Sequence, residues 1–249
     1  MTTTFVIAWK EIRVYFGSAI AYVVMAAFLV FSGLLFVDSL TGAFREAGLR
    51  SFLTGESAIG TLSETLNGSL LLLLLGPVLT MRLFSEETKL GTIELLLTSP
   101  VRDFEVVLGK FCSAFFIIAI LLAMTLYYPV LLFVFATPDP GPIFAGYFGL
   151  LLLGAFFVSV GLFASSLSNN QLVSAVLGLI VLLMFWFIDK AADFFSGAPA
   201  DILQFVSPRS HFVAFARGII DTQSVIYLLA LSAIFIFLTV RSLETRRWR

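Results

Sequence analysis

Six stretches of this chain run for 16 to 26 residues without one Asp, Glu, Lys, Arg or His: 19–37, 66–81, 111–136, 143–165, 172–188 and 224–240. About 20 apolar residues in a helix cross a hydrocarbon core about 30 Å thick. Lipid offers no partner to a free backbone N–H or C=O, so each stretch must satisfy its own backbone as a helix. Only 12% of the 249 residues are charged and 59% are hydrophobic, whereas soluble domains carry about 25% charged residues. The expected fold is therefore an all-α integral membrane protein with six transmembrane helices, one domain over 1–249 and no internal repeat. The stretch 66–81 is short for a span. It is expected to begin earlier, near Thr61, or to run on past Met81. The N-terminal run 17–37 is uncharged for 21 residues, longer than the roughly 7–15 residues of a signal-peptide core. It is expected to stay as an anchor.

Orientation follows Lys and Arg. Segments 1–18, 82–110, 166–171 and 241–249 carry ten of them, against five in 38–65, 137–142 and 189–223. Both termini are expected in the cytoplasm and the chain in a bacterial cytoplasmic membrane. Pro138, Pro140 and Pro142 mark a tight external turn, and Ser168-Asn169-Asn170-Gln171 a tight internal one. Pro77 and Pro129 fall inside spans, where each removes one helical hydrogen bond. Small-residue pairs at four-residue spacing (Ala155/Ser159, Gly161/Ser165, Ser174/Gly178) permit close helix approach.

Several chemistries are excluded. Gly109-Lys110 is the one Gly-Lys pair, with Phe104 and Phe111 where a phosphate-cradling loop needs Gly and Ser or Thr. The chain is thus expected to bind no nucleotide or cofactor itself. A single Cys112 and a single His211 make neither a disulfide framework nor a metal site, and a net charge of −1 without a basic stripe excludes nucleic acid. No ionisable residue stands at membrane depth, where ion-coupled transporters keep their coupling groups. Energy for transport would have to enter from outside the bilayer.

The 29 residues of 82–110 are the place for such an input, since a mere connector needs about 2–8. The run 89–98 is compatible with a short amphipathic helix stopped by Pro100. Leu90, Ile93 and Leu97 share a face, Glu87 and Glu94 flank it, and Asp103 or Glu105 can open the next helix. Such a helix can fill a groove in a soluble partner while Glu87 and Glu94 meet basic residues at its rim. Ahead of the first span, Phe5, Trp9, Ile12 and Phe16 line one side of 3–17, with Lys10 and Arg13 away from it, as in an elbow helix lying in the membrane plane.

These residues resemble the permeases of type-2 ABC exporters, in particular the gliding-motility-type auxiliary branch. The resemblance is carried by Trp9-Lys10-Glu11, by Glu87, Gly91-Thr92-Ile93-Glu94, Ser99-Pro100, Glu105 and Gly109-Lys110, and by Ser207-Pro208, His211-Phe212, Arg217-Gly218-Ile219-Ile220-Asp221, Tyr227 and the Arg-rich end. It implies a dimer of permease copies, homo- or heteromeric, and a separate ABC ATPase that carries the ATP and Mg. It places the coupling region at Glu87, Gly91, Thr92, Glu94, Leu95, Leu96 and Pro100. It puts the membrane-interface elbow at Trp9, Lys10 and Glu11. The segment 189–223, with Pro208, His211, Phe212, Arg217, Gly218 and Asp221, would dip into the outer interface beside membrane lipids, its Phe194, Phe195, Ile202, Phe205, Phe212, Phe215 and Ile219 interleaved with charges. A periplasmic auxiliary subunit often accompanies the branch. The reading is a transport subunit rather than an enzyme. The competing one is a structural or assembly subunit of an envelope complex, and copurification of an ATPase separates the two.

Overall fold

The computed structural model describes residues 2–41, 53, 67–92, 101–135, 138–192, 194–195 and 197–247. The helices are α1 (Thr2–Phe16), α2 (Ala19–Thr41), α3 (Gly68–Thr80), α4 (Arg82–Lys89), α5 (Asp103–Thr125), α6 (Tyr127–Phe135), α7 (Pro140–Leu167), α8 (Gln171–Ala192), α9 (Ala198–Val206), α10 (Pro208–Ala216) and α11 (Thr222–Arg247). Among the described residues, six units are long and apolar enough to cross a membrane: α2, α3 with α4, α5 with α6, α7, α8 and α11. The protein is an all-α, multi-pass integral membrane protein.

In each broken span a side chain of α7 answers the break. Pro129 lacks the N–H that would bond the carbonyl of Thr125, four residues back. That carbonyl instead accepts the Tyr147 hydroxyl from α7 at 2.9 Å. The second span runs past Met81, because α4 continues α3 to Lys89 as one 22-residue unit. Ser165 of α7 holds the joint. Its hydroxyl donates to the Met81 carbonyl at 3.0 Å and accepts the Phe84 and Ser85 N–H groups at 3.1 and 3.2 Å. The helix expected over 89–98 does not start at Lys89, which is instead the last residue of α4. Leu90 caps it, and Gly91 turns the chain with φ +71°, a conformation that glycine adopts without steric cost. Residues 93–100 lie outside the described residues. Asp103 does open α5, with Asp103 and Glu105 in its first turn, where carboxylates complement the helix dipole.

α7 is the mast of the bundle. Its apolar window is 83% buried, against 22–33% for α2, α8 and α11, which turn most of their side chains outward. Lipid gives helices no hydrophobic reason to associate, so contact must come from close packing and hydrogen bonds. Glycines supply the closeness. A Cβ on Gly161 would stand 2.0 Å from Thr80 Oγ1, and one on Gly178 would touch Ala164, Pro77 and Gly161 at 3.4–3.5 Å. Aromatic rings fill the wider gaps: Phe156 of α7, Phe185 of α8 and Phe235 of α11 meet with centroids 5.7–6.0 Å apart.

Contacts between elements sort the helix ends onto two faces. The Tyr15 hydroxyl bonds the Leu79 carbonyl, Gly109 abuts Ile7 and Thr4, and Ser165 holds α4. These gather α1, α4, the start of α5 and the end of α7 at one end, here termed basal. At the other, distal end, Asp189 pairs with Arg209 at 3.0 Å and Gly218 packs on Pro142. There α9 leaves Ile202 and Phe205 exposed, as does Ile219 beyond α10. Phe212 and Phe215 depart from the expected interfacial face: both are buried, with Phe215 lying on Gly149 of α7.

Gly161→Leu is expected to drive α7 off α3 and to cost about 1–3 kcal/mol as an overpacked contact, read as a lower unfolding temperature in detergent. Gly178→Ala, whose new methyl finds ordinary contact distances, is expected to unfold within a degree or two of the wild type.

Candidate functional site

The basal end buries a lysine. Lys110 sits on α5 about two turns from its start, and its side chain is 1% exposed. An ammonium group has three donors and no acceptor, and each donor finds an oxygen. The Nζ lies 2.8 Å from Glu87 Oε1 at the end of α4, 3.1 Å from Glu11 Oε1 on α1 and 2.6 Å from the Leu83 carbonyl of α4. The Phe84 ring lies 5.1 Å from the same nitrogen. Three elements that share no sequence neighbourhood are thereby tied at one atom.

The surrounding residues fit that arrangement. Gly109 lets α1 come close, since a Cβ there would lie 2.9 Å from Ile7 and 3.0 Å from the Thr4 carbonyl. α1 buries Ala8, Glu11 and Tyr15 on one side, at the i, i+3, i+7 spacing of a helical stripe. Its opposite side exposes Phe5 and Trp9, stacked 6.4 Å apart, with the Arg13 guanidinium 5.4 Å from the Trp9 ring. Burial, with Glu11 nearby, pushes the Tyr15 phenol above its usual pKa, although Arg82 opposes the shift. The Arg82 guanidinium lies 5.9 Å from the Tyr15 ring. Beside the cluster opens a cavity of about 470 Å³ lined by Lys10, Glu11, Val14, Arg82, Glu86, Glu87, Leu90, Thr92 and Lys110. Glu87 Oε2 is buried without a hydrogen-bond partner.

The residues singled out in sequence are thus only partly brought together. Glu11 and Glu87 meet at Lys110. Lys10 stays exposed, with its Nζ 3.8 Å from Glu11 Oε1 and 4.0 Å from Glu87 Oε1. Trp9 faces outward. Glu87 therefore has one carboxylate oxygen committed within the chain rather than offered to a partner's base. Gly91 and Thr92 are exposed at the foot of the segment 93–100, and the Thr92 hydroxyl donates to the Glu87 carbonyl at 3.3 Å. Glu94, Leu95, Leu96 and Pro100 lie outside the described residues. Sequence reasoning did not pick out Lys110 as a partner of Glu11 and Glu87. The available signal was a Lys and two Glu, each within about two turns of an apolar segment.

At the distal end the other group of singled-out residues forms a cap. Pro208 opens α10 behind Ser207, whose hydroxyl accepts the Ser210 N–H at 3.4 Å. His211 is held at both ring nitrogens, Nδ1 2.9 Å from Ser224 Oγ and Nε2 2.9 Å from the Phe205 carbonyl, with its ring stacked 4.3 Å from Tyr227. The Tyr227 hydroxyl donates to the Val206 carbonyl. Arg217 ends α10, and Gly218, at φ +85°, closes it. The Gly218 N–H bonds Phe215 and the Ile219 N–H bonds Ala214, the paired bonds of a glycine-terminated helix. Asp221 then receives the Gln223 N–H and the Ser224 hydroxyl, each at 3.3 Å, at the start of α11. These bonds fix α9 and α10 to α11, an arrangement that serves structure; His211 has its nitrogens engaged by protein.

Together these features define a class: a polytopic helical membrane protein with a hydrogen-bonded distal cap, and a buried ionic joint at the base of the segment linking its second and third spans. The family model described as ABC-2 family transporter protein matches residues 5–248, and the chain belongs to that family. Members are membrane permease subunits of ABC transporters rather than their ATPases, and the family implies in general an ABC ATPase partner and a permease partner. Comparison with curated proteins gives no match.

Lys110→Met is expected to destabilise the detergent-solubilised protein by up to about 3–5 kcal/mol, because it leaves the buried Glu11 and the partly buried Glu87 with only the exposed Lys10, at 3.8 and 4.0 Å, as a counter-charge. The neutral triple variant Glu11→Gln/Glu87→Gln/Lys110→Met is expected to recover most of that loss, as a lower and then restored midpoint in thermal unfolding.

Proposed function

We propose that this chain is the permease of an ATP-driven exporter in which residues 87–100 receive the push of a separate ATPase. The observation that carries the reading is the α3–α4 unit. A membrane span continues through a joint at Met81 into a charged, partly buried arm and ends at a glycine swivel beside an open cavity. A connector needs none of this, whereas a lever needs all of it. The arm starts in the bundle core, where Gly161 and Ser165 of α7 grip it, so a force applied beyond Gly91 acts on the packing of the spans. ATP and Mg bind the partner. Nucleotide-driven closure of two ATPase copies moves two permease copies between inward- and outward-facing packings, a bistable exchange of the kind close-packed helices support.

Lys and Arg bias supports an orientation with both termini and the basal cluster in the cytoplasm, in a bacterial inner membrane. The distal cap then faces the periplasmic side, with Phe194, Phe195, Ile202 and Phe205 exposed at the outer interface. The motifs running from Ser207 to Asp221 support placement in the gliding-motility-type branch, which a periplasmic auxiliary subunit often accompanies.

Affinity purification of the tagged chain from its native membrane is expected to bring down an ABC ATPase, and Glu94→Arg to lower the recovered ATPase by at least about tenfold while the permease yield is unchanged. Undiminished recovery and undiminished ATP turnover with Glu94→Arg would remove that residue from the interface. Absence of any ATPase from the wild-type preparation would favour an assembly subunit instead.

A further inference from the structure

We propose that α1, α4 and the foot of α5 move as one body, and that Lys110 is the positioning residue that makes them do so, a step that rests on reading 87–100 as the ATPase-facing segment. In that reading the push arrives beyond Gly91. What it reaches depends on what α4 is fastened to. Toward the bundle, α4 is fastened to α7 through the Ser165 hydroxyl. Toward the membrane surface it is fastened at the Lys110 ammonium, whose three donors are divided between α1 and α4. A second bond runs parallel to the first, from the Tyr15 hydroxyl of α1 to the Leu79 carbonyl at the end of α3. Contact between Gly109 and the Ile7 side chain and Thr4 backbone closes the same seam from the α5 side.

These ties are short, buried and mutually dependent. An ammonium that is 1% exposed cannot exchange a carboxylate for water as a surface lysine does. Sliding α1 past α4 would therefore break Glu11 from Lys110 with no replacement at hand. The chain instead turns about Gly91, where a Cβ would find nothing within 4 Å and the N–H is held by one 3.3 Å bond to the Thr88 carbonyl. The exposed Phe5 and Trp9 of α1 then mean that a push on α4 drags an amphipathic helix along the membrane surface, so the elbow is part of the moving lever rather than a passive anchor.

A covalent bridge can stand in for the ion cluster and so test it. Val14 of α1 and Glu86 of α4 both line the 470 Å³ cavity, Val14 exposed and Glu86 half-buried. In a Cys112→Ser background, cysteines at positions 14 and 86 are bridged by a short bis-maleimide in the native permease–ATPase complex reconstituted in nanodiscs. If α1 and α4 already move together, the bridge leaves ATP turnover within about twofold of the unbridged complex. Lys110→Met keeps the ATPase bound but lowers permease-dependent turnover by at least about fivefold, and the bridge restores most of it. Lys110→Arg, which keeps the charge, loses less than Lys110→Met. Where Lys110→Met fails to reach the membrane, the neutral triple variant with and without the bridge takes its place. A bridge that stalls the wild-type complex, or a Lys110→Met complex that turns over normally, overturns the proposal while leaving the functional reading intact. A wild-type preparation without ATPase overturns the reading and the proposal with it.

Discussion

An ammonium group taken out of water must find acceptors for all three protons and a counter-charge close by, or the fold pays several kcal/mol for it. Lys110 meets that demand with oxygens from α1 and α4 while standing on α5. Much of the basal architecture can be traced to this condition. α1 must lie against α5 to bring Glu11 within reach, and Gly109 leaves the room for it. α4 must extend beyond the expected end of its span to bring Glu87 and the Leu83 carbonyl into place, and Ser165 of α7 supports the joint that lets it do so. The cluster stands at the border between a bundle packed for lipid and a segment charged for water.

Inside the bundle the logic is different. There is no water to expel, so α7 holds its neighbours by glycine contacts, interlocked Phe rings and hydroxyls that answer particular broken backbone bonds. Tyr147 on the Thr125 carbonyl is the clearest case: the proline that opens the gap and the tyrosine that fills it lie on different helices. Such a bundle changes shape by exchanging one close packing for another, which suits a permease driven from one end. The distal cap, fastened through His211, Tyr227 and Asp221, keeps the opposite end in register with α11.

The sequence made the fold class legible because lipid removes alternatives: six uncharged runs of that length have one way to satisfy their backbones. It was less informative where a tertiary contact decided the outcome. The extension of the second span past Met81 depends on a serine hydroxyl some 80 residues away. The break at Gly91 rests on its positive φ, which the periodic Leu90, Ile93 and Leu97 do not reveal. Phe212 and Phe215 had the composition of an interfacial face, and only the gap at Gly149 shows why they turn inward. Glu11, Glu87 and Lys110 could each be noticed as a charge near a span. Their meeting could not, because the partners are 99 and 23 residues from Lys110 along the chain.

In the proposed permease the push of an ATPase enters beyond Gly91, beside this cluster. A photoreactive amino acid placed at position 90, exposed at the swivel, and irradiated in living cells puts that to the test. A covalent adduct to a nucleotide-hydrolysing ABC subunit is expected. Adducts confined to lipid or to the chain itself, in cells where the complex is assembled and active, would contradict it.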